Sequence, residues 1–112
     1  MINMKLAVTV DPSDNSVFRV FEDTRVIWIY TIENGEITDS EMVGTMAESV
    51  DDIVGVVMMM EADGILCGDI TAGSRRLLDD EGITFYSGFY GNADEAVSDF
   101  INGYVIFGPD ED

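Results

Sequence analysis

Histidine is absent from the 112 residues, cysteine appears once, and five Lys and Arg face 23 Asp and Glu. Without imidazole, neither histidine metal ligation nor histidine general acid–base chemistry is open to the chain, which removes the commonest hydrolytic constellations. A lone cysteine cannot form an internal bridge. That agrees with a reducing compartment and leaves Cys67 as a thiol, a soft ligand or plain packing. The formal net charge of −18 at pH 7 argues against nucleic acid as a partner, because binding phosphates requires a cationic face that releases counterions. Such an excess of one sign suits a solvated acidic surface or a basic protein partner. Long apolar runs are missing too: residues 56–60, VVMMM, fall far short of the roughly 20 residues that cross a bilayer. The opening MINMKLAVTV reads as a strand and not as an export signal, so the expected location is the cytoplasm.

What is present is a patterned α/β sequence of single-domain length. Residues 4–10 alternate Met4, Leu6, Val8 and Val10 against Lys5, Ala7 and Thr9, the period of a strand with unlike faces. DPSDNS at 11–16 is dense in turn formers and reads as a loop. RVIWIYTI and ITDSEMV flank Asn34-Gly35, the strongest short hairpin signal. Thr45 to Glu48 has the form of a capping box, and Met46, Val50, Ile53, Val57 and Met60 follow at helical spacing. The triplet Met58-Met59-Met60 invites a soft-metal reading, but consecutive helical residues point in three directions, so core packing is the expectation. A short buried strand is predicted over 64–67, a helix over 71–81 closed by Gly82, and a strand over 83–86. The last helix starts at Asn92, carries the stripe Ala93, Ala96, Val97, Phe100, Ile101, and ends at Gly103. Residues 104–107 are expected to add an edge strand or a homodimer seam. One domain over 1–107 and a mobile acidic tail over 108–112 complete the reading.

These segments, in this order and spacing, carry a resemblance. MKLAVTVD, FRVFEDTRVIWIYTIENGEI, ADGILCGDITAGSRRLLDDEGITFY and GNADEAVSDFINGYV resemble the dinitrogenase iron–molybdenum cofactor biosynthesis family, the NifX-like domains also found at the end of NifB. Phe21 matches the family's loop phenylalanine, Glu33-Asn34-Gly35 its hairpin, Gly68 and Ile70 its G-x-I, Gly82-Ile83 the next strand entry and Asn102-Gly103 the end. The resemblance implies a ribonuclease-H-like three-layer fold: a mixed five-stranded sheet of order 3-2-1-4-5 with three helices. It also implies a non-catalytic carrier of metal–sulfur clusters, exchanging them with donor and acceptor proteins. The chain departs from the pattern at three places. Glu22 and Asp23 stand where relatives often have Gly and a basic residue, Thr71 stands where G-x-I-G closes, and residues 43–48 replace a glycine-rich stretch.

In a sheet of that order the first and fourth strands are parallel neighbours whose following chains part, and a crevice opens at their carboxyl ends. Asp11 and Cys67-Gly68-Asp69 lie there, with Gly44 and Thr45 on the loop before the first helix. Helix starts near Thr45 and Thr71 offer main-chain donors to an anion. Gly68 permits close approach, and Cys67 is the candidate thiolate ligand for iron, copper or molybdenum. The resemblance adds Phe21. Each residue has a plainer role as well: Cys67 as packing, Asp69 as a helix cap, Asp11 as the start of a turn. The functional expectation is therefore a carrier of an iron-, molybdenum- or copper-containing sulfur cluster, with a cofactor-free acidic interaction module on the same fold as the alternative. A nuclease holding magnesium through Asp11 and Asp69 ranks last, since such sites need more clustered carboxylates.

Overall fold

The computed structural model describes residues 3–45 and 49–107, with side chains described through residue 103. Strand β1 (Met4–Asp11) lies in the middle of a mixed sheet and is buried along most of its length. It pairs antiparallel with β3 (Val26–Glu33) and parallel with β5 (Gly64–Leu66). β3 turns into β4 (Glu36–Gly44) through Asn34 and Gly35, at φ +55 and +77. These are the left-handed angles that a two-residue hairpin turn needs and that Asn-Gly supplies with least strain. β6 (Thr84–Tyr86) lies parallel to β5, giving the order β4-β3-β1-β5-β6.

The alternation along β1 builds two cores. Leu6, Val8 and Val10 join Tyr30, Ile32 and Leu66 under helix α3 (Ala93–Phe107), whose Ala93, Ala96, Val97, Phe100 and Ile101 are all buried. Ala7, Ile27, Ile29, Ile65 and Cys67 pack on the other face, under α1 (Val50–Met59) and α2 (Ala72–Asp80). Each large apolar side chain buried in this way contributes on the order of 1.5–3 kcal/mol. The sheet is thus sandwiched, with α1 and α2 on one side and α3 on the other.

Several expectations need correction. The sheet has six strands among the described residues, not five, because residues 11–16 form a tight return and not an open loop. Asp11 Oδ1 accepts from the Ser13 amide at 2.9 Å, Asp14 Oδ1 accepts from the Ser16 amide at 3.1 Å, and Asn15 takes a φ of +59. The turn lays a two-residue strand, β2 (Ser16–Val17), back against Val10 and Asp11. Thr45 caps no helix seen here. Its amide and hydroxyl bind the carbonyls of Thr24 and Arg25, tying the end of β4 to the loop before β3. Helix α1 begins at Val50 after Ser49, and the rest of the expected capping box, residues 46–48, lies outside the described residues. Met58 and Met59 face solvent, because the buried stripe of α1 runs through Ile53, Val54 and Val57 and leaves only Met60 partly packed. Residues 104–107 continue α3 and form no edge strand. Gly103 lies inside the helix and does not take the positive φ that Gly82 adopts just past α2. The expected tail, 108–112, lies outside the described residues.

Candidate functional site at the carboxyl end of the sheet

β1 and β5 are adjacent and parallel, so their carboxyl ends are where a crevice would open. The chain's own backbone occupies that place. Leaving β2, residues 18–21 run alongside residues 67–69 as an extra extended layer. The Phe18 amide donates to the Thr9 carbonyl at 2.8 Å, the Asp69 amide to the Arg19 carbonyl at 2.7 Å, and the Phe21 amide to the Asp69 carbonyl at 2.9 Å. A Cβ on Gly68 would lie 2.7 Å from the Arg19 carbonyl oxygen and 3.0 Å from that of Phe18. Gly68 does permit close approach, but what approaches is residues 18–21. The Phe21 ring then locks the layer down, fully buried among the α1/α2 core.

Cys67 sits beneath this layer with no exposed surface. Burial, reinforced by the negative charge of Glu22, pushes its thiol up to about 12. A thiol so placed carries almost no thiolate at neutral pH while it stays covered. We expect iodoacetamide at pH 8 to leave Cys67 of the folded protein unmodified and to react fully once urea unfolds it, as read by mass spectrometry. Rapid labelling of the folded protein would show that the layer over the thiol opens.

Two main-chain donors at the start of α2, the amides of Thr71 and Ser74, are engaged. Glu22, on the short 3-10 turn Phe21–Asp23, accepts from both the amide and the hydroxyl of Thr71 at 3.1 Å, and Thr71 caps the helix by accepting from the Ser74 amide at 3.2 Å. An internal carboxylate therefore stands where a helix start would attract an anion. Burial pulls the Glu22 carboxyl upward, but hydrogen bonds from Ser74 and Thr71 together hold it below its ordinary value. A carboxyl lowered in the folded state contributes stability that is complete above the ordinary glutamate range and is lost as pH falls through the folded value. Urea midpoints should therefore fall on acidification below about pH 4.5, and Glu22→Gln should flatten part of that fall. Asp11, lowered by its bonds to Ser13, contributes in the same direction.

Asp69 caps no helix. Its carboxylate accepts from the Tyr90 hydroxyl and lies 3.7 Å from Arg19 Nε, an exposed pair of small energetic weight. Of the other candidates, Asp11 is absorbed in its turn, while Gly44 and Thr45 lie at the same end of the sheet but beside β3. The strand order sets them two strands, about 10 Å, from β1. Among the described residues, no three His, Cys, Asp or Glu side chains converge as metal ligands, and this removes the support for Asp11 and Asp69 as a magnesium pair. A cavity of about 730 Å³ opens further along, beside β6 and α2. Arg75 lines it, stacked 5.5 Å from the Phe85 ring centroid and donating to Ser87 Oγ at 3.1 Å.

Residues 4–103 match the family described as dinitrogenase iron–molybdenum cofactor. The chain belongs to that family. This member of the dinitrogenase iron–molybdenum cofactor family is similar in structure to PH0822, with a TM-score of 0.81 at 23% identity over 89% of this chain and 90% of the other. It is also similar to the MJ0327 protein of Methanocaldococcus jannaschii, with a TM-score of 0.74 at 24% identity over 92% of both chains. An NMR structure of MJ0327 gives 0.70 at the same identity. At these identities the likeness establishes the fold. No curated protein matches the sequence. No helix among the described residues is long and apolar enough to cross a membrane.

Sequence reasoning missed the partners that fill the site: Arg19, Tyr90 and the pairing of Glu22 with Thr71. A signal for Glu22 existed, since an acid stood where the family pattern favours a glycine and a base.

Proposed function

We propose that this family member is a non-catalytic, cofactor-associated cytoplasmic protein. Its cargo is an anionic iron-, molybdenum- or copper-containing sulfur cluster or precursor, taken from a donor protein and passed to an acceptor. The observation that carries this reading is the Glu22 carboxylate on the amide and hydroxyl of Thr71. It marks a seat built for negative charge, at the end of a three-layer sheet of the ribonuclease-H-like kind. Cargo would displace Glu22 and be held by hydrogen bonds from Thr71 and the neighbouring main chain, with Arg19 and Arg75 supplying positive charge. Two buried hydroxyls, Thr9 Oγ1 near the end of β1 and Thr24 Oγ1 just after the 3-10 turn, have no hydrogen-bond partner among the described residues. They are donors that a bound group or water would satisfy. In this scheme Cys67 is packing, and Asp11, Gly44 and Thr45 shape the surroundings without touching the cargo.

A second reading is favoured by the backbone of residues 18–21, which already fills the crevice: a cofactor-free interaction module on the same fold. Anaerobic reconstitution with iron, sulfide and molybdate, followed by elemental analysis, separates the two. The carrier reading expects metal uptake by the parent, greater uptake by Glu22→Gln and unchanged uptake by Cys67→Ala. Loss of uptake in Cys67→Ala alone would reinstate the thiol as ligand. No uptake by any of the three would leave the interaction module.

A further inference from the structure

The two faces of the sheet are covered unequally. α1 and α2 share one face, while α3 alone lies on the other. Helices pack about 8–10 Å apart and strands about 4.8 Å apart, so one helix covers roughly two strands. α3 is spent on β1, β5 and the near side of β3, and β4 is exposed along almost its whole length. The register places Met42 beside Trp28, Ser40 beside Tyr30 and Ile37 beside Ile32 on the α3 side of the sheet. Met42 is 58% exposed, Ile37 37%, and Trp28 is half-buried. The flank of α3 forms the facing wall. Asp94 accepts from the Tyr30 hydroxyl at 2.6 Å, fixing that wall over β3, and Ser98 shares a cavity of about 430 Å³ with Ile37 and Glu36. A second cavity of about 430 Å³ lies on α3 itself, lined by Asp94, Glu95, Ser98 and Asp99, and adjoins the first at Ser98. The result is a trough with an apolar floor and an acidic wall.

From this trough we infer a docking site for a basic amphipathic helix of another protein, lying antiparallel or parallel to α3 and completing the layer that α3 leaves half built. Charge selects the occupant. Asp94, Glu95 and Asp99 on α3 and Glu36 at the start of β4 are acids, Asp39 and Glu41 lie on the other face of β4, and none of β3, β4 and α3 carries a Lys or Arg. A second copy would bring the same acids against them, and phosphate-bearing nucleic acid or anionic lipid would be repelled in the same way. A helix with Leu-like anchors at i, i+3, i+4 and i+7 fits the floor of Trp28, Met42 and Ile37 while its Lys or Arg residues meet Asp94, Glu95 and Asp99. β4 is nine residues long, about 30 Å, enough to seat four to five helical turns. The inference stands apart from the cargo proposal, since the trough involves neither Glu22 nor Thr71.

Trp28 is the chain's one tryptophan and reports from the floor of the trough. The probe is a synthetic amphipathic helix of about 18 residues with Leu on one face and Lys on the other, titrated into the full chain at two salt concentrations. A counterpart carrying Glu in place of Lys serves as its control. The Lys peptide is expected to shift Trp28 emission to the blue, protect it from acrylamide and bind more weakly at high salt, while the Glu peptide does neither. Met42→Lys with Asp99→Lys should weaken binding about tenfold or more, and Met58→Lys with Asp79→Lys, of equal charge change on the opposite layer, less than about twofold. All four positions are exposed, and circular dichroism checks that each variant folds. Equal weakening by both double variants would mean diffuse charge attraction and overturn the site. Absence of any Trp28 response would do so too, as would sedimentation of the free chain as a dimer that shields Trp28.

Discussion

Gly68→Ala is expected to destabilise the protein by about 2–4 kcal/mol, a large effect for one methyl group. The added Cβ would meet the Arg19 carbonyl oxygen at 2.7 Å and the Phe18 carbonyl oxygen at 3.0 Å, and both are main-chain atoms that cannot swing aside as a side chain would. Relief requires lifting residues 18–21, which breaks the bond from the Asp69 amide to Arg19 and from the Phe21 amide to Asp69. Overpacking of this kind costs about 1–3 kcal/mol, and each strained or lost hydrogen bond adds about 0.5–1.5 kcal/mol. Gly55→Ala is the matched control. Gly55 sits in the middle of α1 with open space where its Cβ would be, so alanine there should stabilise by about 0.5–1 kcal/mol. Urea unfolding of the two variants beside the parent measures both numbers. A cost below about 0.5 kcal/mol for Gly68→Ala would mean that the layer over the crevice yields readily, and cargo could then enter without the barrier the packing implies.

Much of the fold was legible because strong local signals agreed with one another. Asn34-Gly35 fixed the hairpin, and the alternation in β1 fixed two cores. Gly82 closed α2, and the stripe from Ala93 to Ile101 announced α3. Errors fell where tertiary contacts overrode local chemistry. Thr45 has the sequence context of a cap, yet its hydroxyl is drawn to the Thr24 and Arg25 carbonyls across the chain. DPSDNS reads as a loop because its Asp and Ser side chains satisfy the local backbone, but that satisfaction makes the turn tight enough for Ser16 and Val17 to pair with β1. Residues 104–107 have the composition of a strand and continue α3 as helix.

The candidate site was less legible than the fold, for a physical reason. Sequence placed Asp11, Cys67, Gly68, Asp69 and Thr71 correctly at one end of the sheet, since that follows from topology alone. It gave no view of residues 18–21, whose path is set by hydrogen bonds to Thr9 and Asp69, far away in sequence. Glu22 and Thr71 are 49 residues apart, and no periodicity links them. Departures from the family pattern were the best available pointer: two of the three, Glu22 and Thr71, prove to be bonded to each other.

Phe21→Ala is the second large effect expected, at about 3–5 kcal/mol, because the ring is fully buried against the α1/α2 core and alanine leaves a cavity. Its interest lies in where the loss falls. Phe21 packs in the same core as Cys67 and anchors the stretch that delivers Glu22 to Thr71, so truncation should free residues 18–23 before it unfolds the sheet. Phe100→Ala supplies the comparison: it removes an equally large ring from the opposite core, which α3 and Tyr86 build, and it leaves the site's contacts in place. Alkylation of Cys67 in the absence of denaturant distinguishes the two. If the layer opens locally, Phe21→Ala should label at least about tenfold faster than Phe100→Ala at matched global stability. Phe21→Leu, which keeps most of the volume at a cost under about 1.5 kcal/mol, should restore protection. Equal labelling of the two alanine variants would instead show that the thiol is reached only through global unfolding. The segment carrying Glu22 would then be an inseparable part of the core, unable to move aside for cargo.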